Sequence, residues 1–580
     1  MMKRIKSLSV LLAASLVLLT GCAQVNLNVD DGSAKDDTNK EQHVYKIEKK
    51  TMPLYAGSYD QKIDVELVFL DGITDIPYIS VESFKSVFEY FMESSRYPDL
   101  ALSIEEDGEI VTLTRDTGYP ARILFDEDSI EFWDLDGFFK KGADDVLIDN
   151  IEIPCFDDDG QPQYFEITDS FERYGQPVII SAGDYGIDLV HQDDGYYLPL
   201  HLVSDVFMSQ YDTGFIFNGS AVYAGMSGDF DGFDDLYYNS DYPEKRSPEL
   251  TEYNYNELCL ALDYIYGLRS QHDIKDFDTL FVQTGLDEKM KSGDPVDSVQ
   301  ALYECVNVYL DDLHSSYLKN IYVKNNKIET KHPTSAMISE RDDKRFRDAR
   351  AKYYEEVPGY EEIGNTAYIT YDEYNYSGID YYTEKPEDHL DDTMGLLIYS
   401  FAQITRKDSP VENVVLDMSI NHGGTVPSAA YTIGMFIGDG SISINNATSN
   451  ALVTQNFRAD LNLDRKFDEN DALLGRYNLV CLTSPLSFSC GNLVPSVLKN
   501  SHEVTIMGQT SGGGTCIVQH LTTADGSTLQ ISSSKLMSYT KNGSFYEIDR
   551  GVDPDHVISV PEQFYDRKAL TEKINDILGK

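Results

Sequence analysis

The chain has 580 residues and a formal net charge of −51, from 47 Lys and Arg against 98 Asp and Glu. Its length predicts several domains, and a hydrophobic content of 41% excludes a globally disordered protein. Such a surplus of carboxylates repels phosphate backbones and anionic lipid headgroups, so we expect no nucleic-acid partner.

Residues 1–22 have the pattern of a secretory signal: a basic start, the apolar run Leu8–Leu19 and small residues before Cys22. The run is too short to span a membrane as a mature helix. The motif Leu-Thr-Gly-Cys at residues 19–22 resembles a bacterial lipobox, which implies lipidation of Cys22. We expect the polar residues 23–44 to form a flexible tether. We expect a lipid-anchored protein at the extracytoplasmic face of the cell membrane; the alternative is an ordinary signal with an incidental cysteine.

A repeated pattern in the N-terminal half of the sequence predicts two related α+β units. The segment Ile76–Phe84, an apolar strand followed by a helix start, is echoed by Tyr197–Asp205. We therefore predict one module over residues 45–140 and a second over residues 141–228.

A helical region follows over residues 249–330, in which Leu302, Val306 and Leu310 recur at helical spacing. From Ile363 onward, short apolar strands alternate with helices. The predicted strands are Thr366–Tyr371, Asn413–Met418, Asn478–Thr483 and Glu503–Met507, and the predicted helices are Asp391–Arg406, Val426–Ile437 and Cys490–Lys499. This alternation predicts a largely parallel, layered α/β core.

Four segments of this core carry a family resemblance. They are Asn413–Gly424, Leu482–Asn492, Val504–Gly514 and the closing Gly551–Asp555. The first ends in an Asn-His-Gly-Gly turn, and the third ends in a Gly-rich loop. In order and spacing they resemble the C-terminal processing (tail-specific) peptidases. The resemblance implies a catalytic core over residues 331–580 with crotonase/ClpP-like layering, and it implies a serine peptidase.

The resemblance makes Ser489 the expected nucleophile, because Ser489 lies between a strand and the start of a helix. Backbone N–H groups are free at such a helix end. The N–H groups of Cys490, Gly423 and Gly424 are the expected oxyanion donors, since glycines let the backbone approach a tetrahedral intermediate. Two alternatives stay open: Ser489 merely caps its helix, or Ser487 is the nucleophile.

The general base departs from the tail-specific pattern, in which a lysine lies in the Gly-rich loop. Residues 512–514 are all glycine here, which excludes that arrangement. The segment Asp311-Asp-Leu-His314-Ser315 resembles instead a turn of the tricorn-protease branch, so we assign His314 as the base. His422 and His520 are the rivals. Glu547 or Asp549 is expected to orient the imidazole. The resemblance places a glutamate three residues before Gly551, but that position is Ile548 in this chain.

Residues 460–471 have the spacing of an EF-hand or dockerin-like calcium loop. Ligands are expected from Asp460, Asn462, Asp464, the Lys466 carbonyl, Asp468 and Asp471. Arg465 occupies the position usually held by glycine. The alternative is an acidic exposed loop, and any calcium would be structural, with no cofactor required for catalysis.

Apart from Cys22, the cysteines Cys155, Cys259, Cys305, Cys481, Cys490 and Cys516 form no CxxC pair, so a zinc ribbon is not indicated. Their pairing and the oligomeric state stay open.

The sequence thus favours a membrane-tethered serine endopeptidase that cleaves polypeptides through an acyl-enzyme. The alternatives are a catalytically inactive, peptidase-like binding protein at the cell surface, or a surface adhesin in which residues 45–228 are the functional part.

Overall fold

The computed structural model describes residues 43–56, 62–94, 101–115, 118–139, 164–225 and 245–579. The predicted signal peptide with Cys22, most of the tether and the boundary predicted at residues 140 and 141 lie outside the described residues. Within Tyr45–Lys580 the chain forms one compact unit.

The N-terminal part is built mainly of short β-strands. Its elements are β1 (Ile47–Ala56), β2 (Lys62–Leu70), β3 (Tyr78–Ser80), α1 (Val81–Ser94), β4 (Ser103–Asp107), β5 (Ile110–Thr114), β6 (Ala121–Leu124), β7 (Ser129–Phe132), α2 (Leu135–Phe139), β8 (Phe165–Arg173), β9 (Val178–Ser181), β10 (Val190–Gln192), β11 (Gly195–Pro199), α3 (Leu200–Val203), β12 (Gly214–Phe217) and β13 (Val222–Gly225). One sheet has the order β10-β11-β3-β2-β1-β13-β12 and another the order β4-β5-β6-β7-β9. The first sheet combines strands from both predicted modules.

A helical segment leads toward the C-terminal core. It comprises α4 (Pro248–Ile265), α5 (Phe277–Thr284), α6 (Asp287–Met290), α7 (Pro295–Glu304), β14 (Ser316–Asn320) and α8 (Thr334–Arg350). The Ser247 hydroxyl accepts the Leu250 N–H, and proline occupies the first position of α4, both of which favour a helix start there. After α7 one π-helical turn, Cys305–Tyr309, brings the chain to the His314 turn.

The C-terminal part is an α/β core. Its elements are β15 (Tyr360–Ile363), β16 (Thr366–Thr370), α9 (Thr393–Thr405), β17 (Asn413–Asp417), α10 (Val426–Ile437), β18 (Gly440–Asn446), β19 (Leu452–Ala459), β20 (Asn478–Thr483), α11 (Cys490–Asn500), β21 (Val504–Gly508), β22 (Cys516–Thr522), β23 (Ser527–Lys541), β24 (Ser544–Tyr546), β25 (His556–Val557), α12 (Glu562–Tyr565) and α13 (Arg567–Ile577).

One sheet of the core has the order β15-β16-β17-β20-β21-β25, and every pair after β15 and β16 is parallel. Alternate residues of its strands pack against different helices: Val414 and Leu416 lie in the cluster with α9, α10 and α11, and Val415 lies with α8, α12 and α13. Because both faces are covered, the strands are continuously apolar. The α/β prediction for the core is confirmed, and strands and helices of an α+β kind precede it.

A third sheet joins the parts of the chain. It has the order β14-β23-β18-β19-β8, and β22 and β24 also pair with β23. Strand β8 from the N-terminal part therefore lies beside β19, and β14, which follows the His314 turn, pairs with β23. This sheet brings the turn that carries His314 to the core.

Two further observations concern the described residues. None of their helices combines the length and the apolarity that a membrane-spanning helix needs.

The cysteines of the described residues are buried free thiols: Cys259, Cys305, Cys481, Cys490 and Cys516. Cys155, like Cys22, lies outside the residues described.

Candidate active site

Ser489 lies in a sharp turn between β20 and α11. Its backbone angles, φ 57° and ψ −124°, are strained for a residue with a side chain, and such strain is concentrated at functional sites. The Ser489 N–H donates to the Gly513 carbonyl at 2.9 Å, while the side chain makes no capping hydrogen bond to α11. The alternative that Ser489 merely caps its helix is therefore wrong, and the turn presents a hydroxyl in the manner of a nucleophile elbow.

Ser487, the competing nucleophile, is fully buried. Its hydroxyl donates to the Met418 carbonyl at 2.7 Å and accepts the Ser484 N–H at 2.9 Å. The first hydrogen bond ties the turn to the loop that follows β17 and the second closes the turn itself, so Ser487 has a structural role.

The loop after β17 passes directly over Ser489. Gly423 has φ 103°, and a Cβ atom at Gly423 would lie 2.6 Å from Ser489 Cβ and 3.1 Å from its Oγ. Gly423 N–H already donates to Asn421 Oδ1 at 3.0 Å. The N–H groups of Gly424 and Cys490 have no hydrogen-bond partner among the residues that the structure describes. Of the three predicted oxyanion donors, Gly424 and Cys490 are thus the two that are available.

Cys490 also holds the loop and the helix start together. Its Sγ lies 3.2 Å from the Gly424 carbonyl oxygen, and burial raises the pKa of the thiol to about 12. The thiol is therefore neutral near pH 7 and serves as a donor rather than as a nucleophile.

Replacing Gly423 with alanine is expected to remove the activity of Ser489, because the added methyl group would occupy space that Ser489 fills. The Gly364→Ala variant is the matched control: Gly364 also has a positive φ, 64°, but nothing lies within 4 Å of its Cβ position. Labelling of both purified variants by a fluorophosphonate probe tests this. Equal labelling of Gly423→Ala and Gly364→Ala would contradict the expected close approach.

His314 is positioned by the turn that precedes β14. Its N–H donates to Asp312 Oδ1 at 3.0 Å, and its carbonyl accepts Gln530 Nε2 at 2.7 Å. The ring packs on Phe488, the neighbour of Ser489, with 4.6 Å between ring centroids, and the residue is 8% exposed. The structure therefore brings His314 next to the Ser489 turn.

No hydrogen bond joins the His314 ring to Ser489 Oγ within the described ranges, and His314 Nδ1 is buried without a partner. In unliganded enzymes such catalytic hydrogen bonds are often long and shorten when substrate binds. Burial lowers the pKa of His314, which favours the neutral base, while the carboxylates of Asp312 and Asp549 act in the opposite direction.

Of the two predicted acidic partners, Asp549 is the one whose charge acts on His314. Its Oδ1 accepts the Thr515 N–H at 3.2 Å, and burial, followed by the charge of Glu547, raises its pKa. Glu547 itself is exposed and accepts Gln271 Nε2 at 3.4 Å. Asp312 is a further carboxylate that the sequence reasoning did not assign, although it lies within the motif that identified His314.

The rival histidines are held by other partners. His422 is exposed, with its Nε2 3.2 Å from Asp343 Oδ1, and His520 Nδ1 lies 2.5 Å from Asp212 Oδ1. Neither ring has a contact with Ser489 among the described hydrogen bonds. This arrangement favours His314 as the base.

The Gly-rich loop has no room for a lysine near Asp549. A Cβ atom at Gly513 would lie 1.8 Å from the Asp549 carbonyl oxygen, and one at Gly514 would lie 2.6 Å from Phe488 Cε2. The absence of the family's lysine is thus accompanied by close packing of the backbone at these two positions.

The predicted calcium loop holds its shape through backbone hydrogen bonds. Asp460 is buried and accepts the N–H groups of Asp464 and Arg465, and Asp471 is buried and accepts three N–H groups of the loop. Burial raises the pKa of Asp460 and brings that of Asp471 to about 6. The other expected ligands are exposed or partly buried: Asn462, Asp464, Lys466 and Asp468. No group of three His, Cys, Asp or Glu side chains in the described part of the chain is placed to hold a metal ion, so calcium binding stays a prediction without such support.

Comparisons with known proteins bear on the C-terminal part of the chain. Residues 365–558 match the model of peptidase family S41. A search of curated proteins finds no significant match. Similar solved structures include a lipoprotein from Streptococcus agalactiae, with 16% identity over 57% of this chain and 99% of that chain and a TM-score of 0.34.

Two further similar structures are proteases. The photosystem II D1 C-terminal processing protease is 17% identical over 35% of this chain and 47% of its own, with a TM-score of 0.26. The tricorn protease is 11% identical over 83% of this chain and 41% of its own, with a TM-score of 0.24. The match of residues 365–558 to the model of peptidase family S41 confirms the resemblance found in the sequence.

Proposed function

We propose that this chain is a serine endopeptidase that cleaves polypeptides through an acyl-enzyme. The observation that carries the proposal is the strained Ser489 turn, with the free N–H groups of Gly424 and Cys490 beside it. Ser489 Oγ attacks the scissile carbonyl carbon, and the two N–H groups stabilise the oxyanion.

His314 takes the Ser489 proton during attack and gives it to the leaving amine. In the second half of the reaction it takes a proton from a water molecule that attacks the acyl carbonyl carbon, and it returns this proton to Ser489 Oγ as the bond to the acyl group breaks. Asp312 fixes the backbone of the His314 turn through the 3.0 Å hydrogen bond. Asp549 supplies a negative charge that favours the imidazolium, since a nearby carboxylate stabilises a protonated ring.

We also propose that the enzyme is anchored through lipidated Cys22 and acts on polypeptides outside the cytoplasm. The Leu-Thr-Gly-Cys22 motif after the apolar run supports this location. The crotonase/ClpP-like layering implied by the resemblance belongs to the same proposal and is supported by the parallel sheet with helices on both faces.

The proposal is tested with the purified 23–580 chain and fluorescein-labelled casein as a general polypeptide substrate. We expect casein cleavage that stops when a fluorophosphonate modifies one serine, and mass spectrometry is expected to place that modification on Ser489. A folded protein that neither cleaves casein nor reacts with the probe would contradict the proposal and would favour a non-catalytic binding protein.

The pH dependence of kcat/KM is expected to reflect the buried state of His314. A protonated imidazole cannot accept the Ser489 proton, so activity falls as pH decreases through the pKa of His314. Because burial lowers this pKa, the acidic limb should lie below pH 6.5, the usual value for histidine. Asp312→Asn removes a carboxylate that raises the pKa and should move the limb to still lower pH.

The control for this measurement is Glu547→Gln, because Glu547 is exposed and the charges that act on His314 are those of Asp312 and Asp549. We expect its acidic limb to coincide with that of the wild type. An acidic limb above pH 6.5 in the wild type, or one unmoved by Asp312→Asn, would contradict the assignment.

A further inference from the structure

Helix α8 contacts both segments that build the candidate site. At its beginning, Asp311 Oδ1 accepts the N–H and the hydroxyl of Ser335, at 2.9 and 2.6 Å, and Asp311 precedes His314 by three residues. Near its middle, Asp343 Oδ1 lies 3.2 Å from Nε2 of His422, the residue before Gly423. At 1.5 Å rise per residue, Ser335 and Asp343 are about 12 Å apart along the helix.

The C-terminal half of α8 is anchored in the core. Phe346 is fully buried against Phe564, with 5.3 Å between ring centroids. The Arg350 guanidinium holds both carboxylate oxygens of Asp372, at 2.7 and 2.6 Å, and the Asp372 carbonyl accepts the His422 N–H at 3.0 Å. Bidentate pairs of this kind fix geometry as well as supplying energy. The loop with His422 is thus held by α8 through two routes.

The N-terminal half of α8 is attached differently. Met337 and Ile338 are exposed, and the buried residues of the helix, Asp342, Phe346 and Ala349, all follow them. The Ser335 contact with Asp311 places a carboxylate at the helix N-terminus, where the helix dipole favours negative charge. At this end, therefore, a charge-assisted hydrogen bond connects the helix to the His314 turn.

We propose that α8 is a rigid strut that sets the position of the Gly423–Gly424 loop relative to the His314 turn, with Asp343 as a positioning residue that acts through His422. The effect on catalysis rests on the proposed function. A shift of the Gly424 N–H away from the oxyanion position weakens transition-state stabilisation without removing any reacting group.

The test compares Asp343→Ala, His422→Ala and the double variant with Asp348→Ala. Asp348 lies on the same helix and pairs with Lys344 at 2.7 Å in an exposed position, which makes it the matched control. We expect kcat for casein cleavage to fall by about tenfold in either single variant, with KM unchanged and no further loss in the double variant. Asp343→Asn, which keeps an acceptor oxygen, should recover part of the rate, and Asp348→Ala should behave as wild type.

A second measurement does not depend on activity. Hydrogen–deuterium exchange of peptides that contain Gly423 and Gly424 should be faster in Asp343→Ala and His422→Ala than in wild type or Asp348→Ala. If wild type lacks peptidase activity while amide exchange in the variants increases as expected, the proposed function fails but the positioning role of α8 is supported. The proposed role of α8 would be contradicted if amide exchange in both variants equalled that of wild type. It would also be contradicted if, in an active enzyme, kcat of both variants equalled that of Asp348→Ala.

Discussion

Replacing Ser489 with alanine is expected to abolish casein cleavage and fluorophosphonate labelling, with kcat reduced on the order of 10⁴-fold or more. The alanine variant keeps the backbone turn but lacks the oxygen that attacks the carbonyl. Because the Ser489 side chain makes no capping hydrogen bond, the fold should lose little stability. Casein cleavage, probe labelling and the melting temperature Tm, measured on the same preparation, check these expectations.

Ser487→Ala is the matched control, two residues away in the same turn. It removes a hydroxyl that donates to the Met418 carbonyl and accepts the Ser484 N–H. Each lost hydrogen bond is expected to cost about 1 kcal/mol of stability. Tm should therefore fall while Ser489 is still labelled. Labelling that survives in Ser489→Ala and disappears in a folded Ser487→Ala would reverse the assignment.

Replacing His314 with alanine is expected to lower kcat by about 10²- to 10⁴-fold, the range typical of a lost general base. The ring packs against Phe488 and is mostly buried, so its removal also leaves space next to the Ser489 turn. Circular dichroism and Tm must show that the variant is folded before the rates are compared. KM should change little, since the imidazole acts on the proton rather than on substrate binding.

His520→Ala is the control for a histidine of the same core. Its Nδ1 is hydrogen-bonded to Asp212, so the substitution removes a contact away from Ser489 and should affect Tm more than kcat. A large loss of kcat in folded His520→Ala together with full activity in His314→Ala would exclude His314 as the base.

Much of the candidate site was predictable because it depends on local rules. A serine between a buried strand and a helix start, glycines in the loop after the preceding strand and a histidine in an Asp-rich turn are all readable as short motifs. The parallel α/β core was predicted from the alternation of short apolar strands with helices.

The acidic partner and the oxyanion donors required the tertiary structure. Glu547 and Asp549 are equivalent by strand alternation. In the folded chain Asp549 accepts the Thr515 N–H and its charge acts on His314, while Glu547 is exposed. Likewise, Gly423 and Gly424 are equivalent in sequence until the Asn421 side chain occupies the Gly423 N–H.

The sequence by itself determined the acidic composition, the α/β core, the Ser489 turn and the His314 motif, because periodicity, turn residues and motif spacing are local properties of the chain. Only the tertiary structure decided which carboxylate's charge acts on the imidazole and which N–H groups are free. It also decided that α8 connects the His314 turn to the Gly423–Gly424 loop, because Ser335, Asp343 and their partners are distant in sequence and meet only when the core is packed.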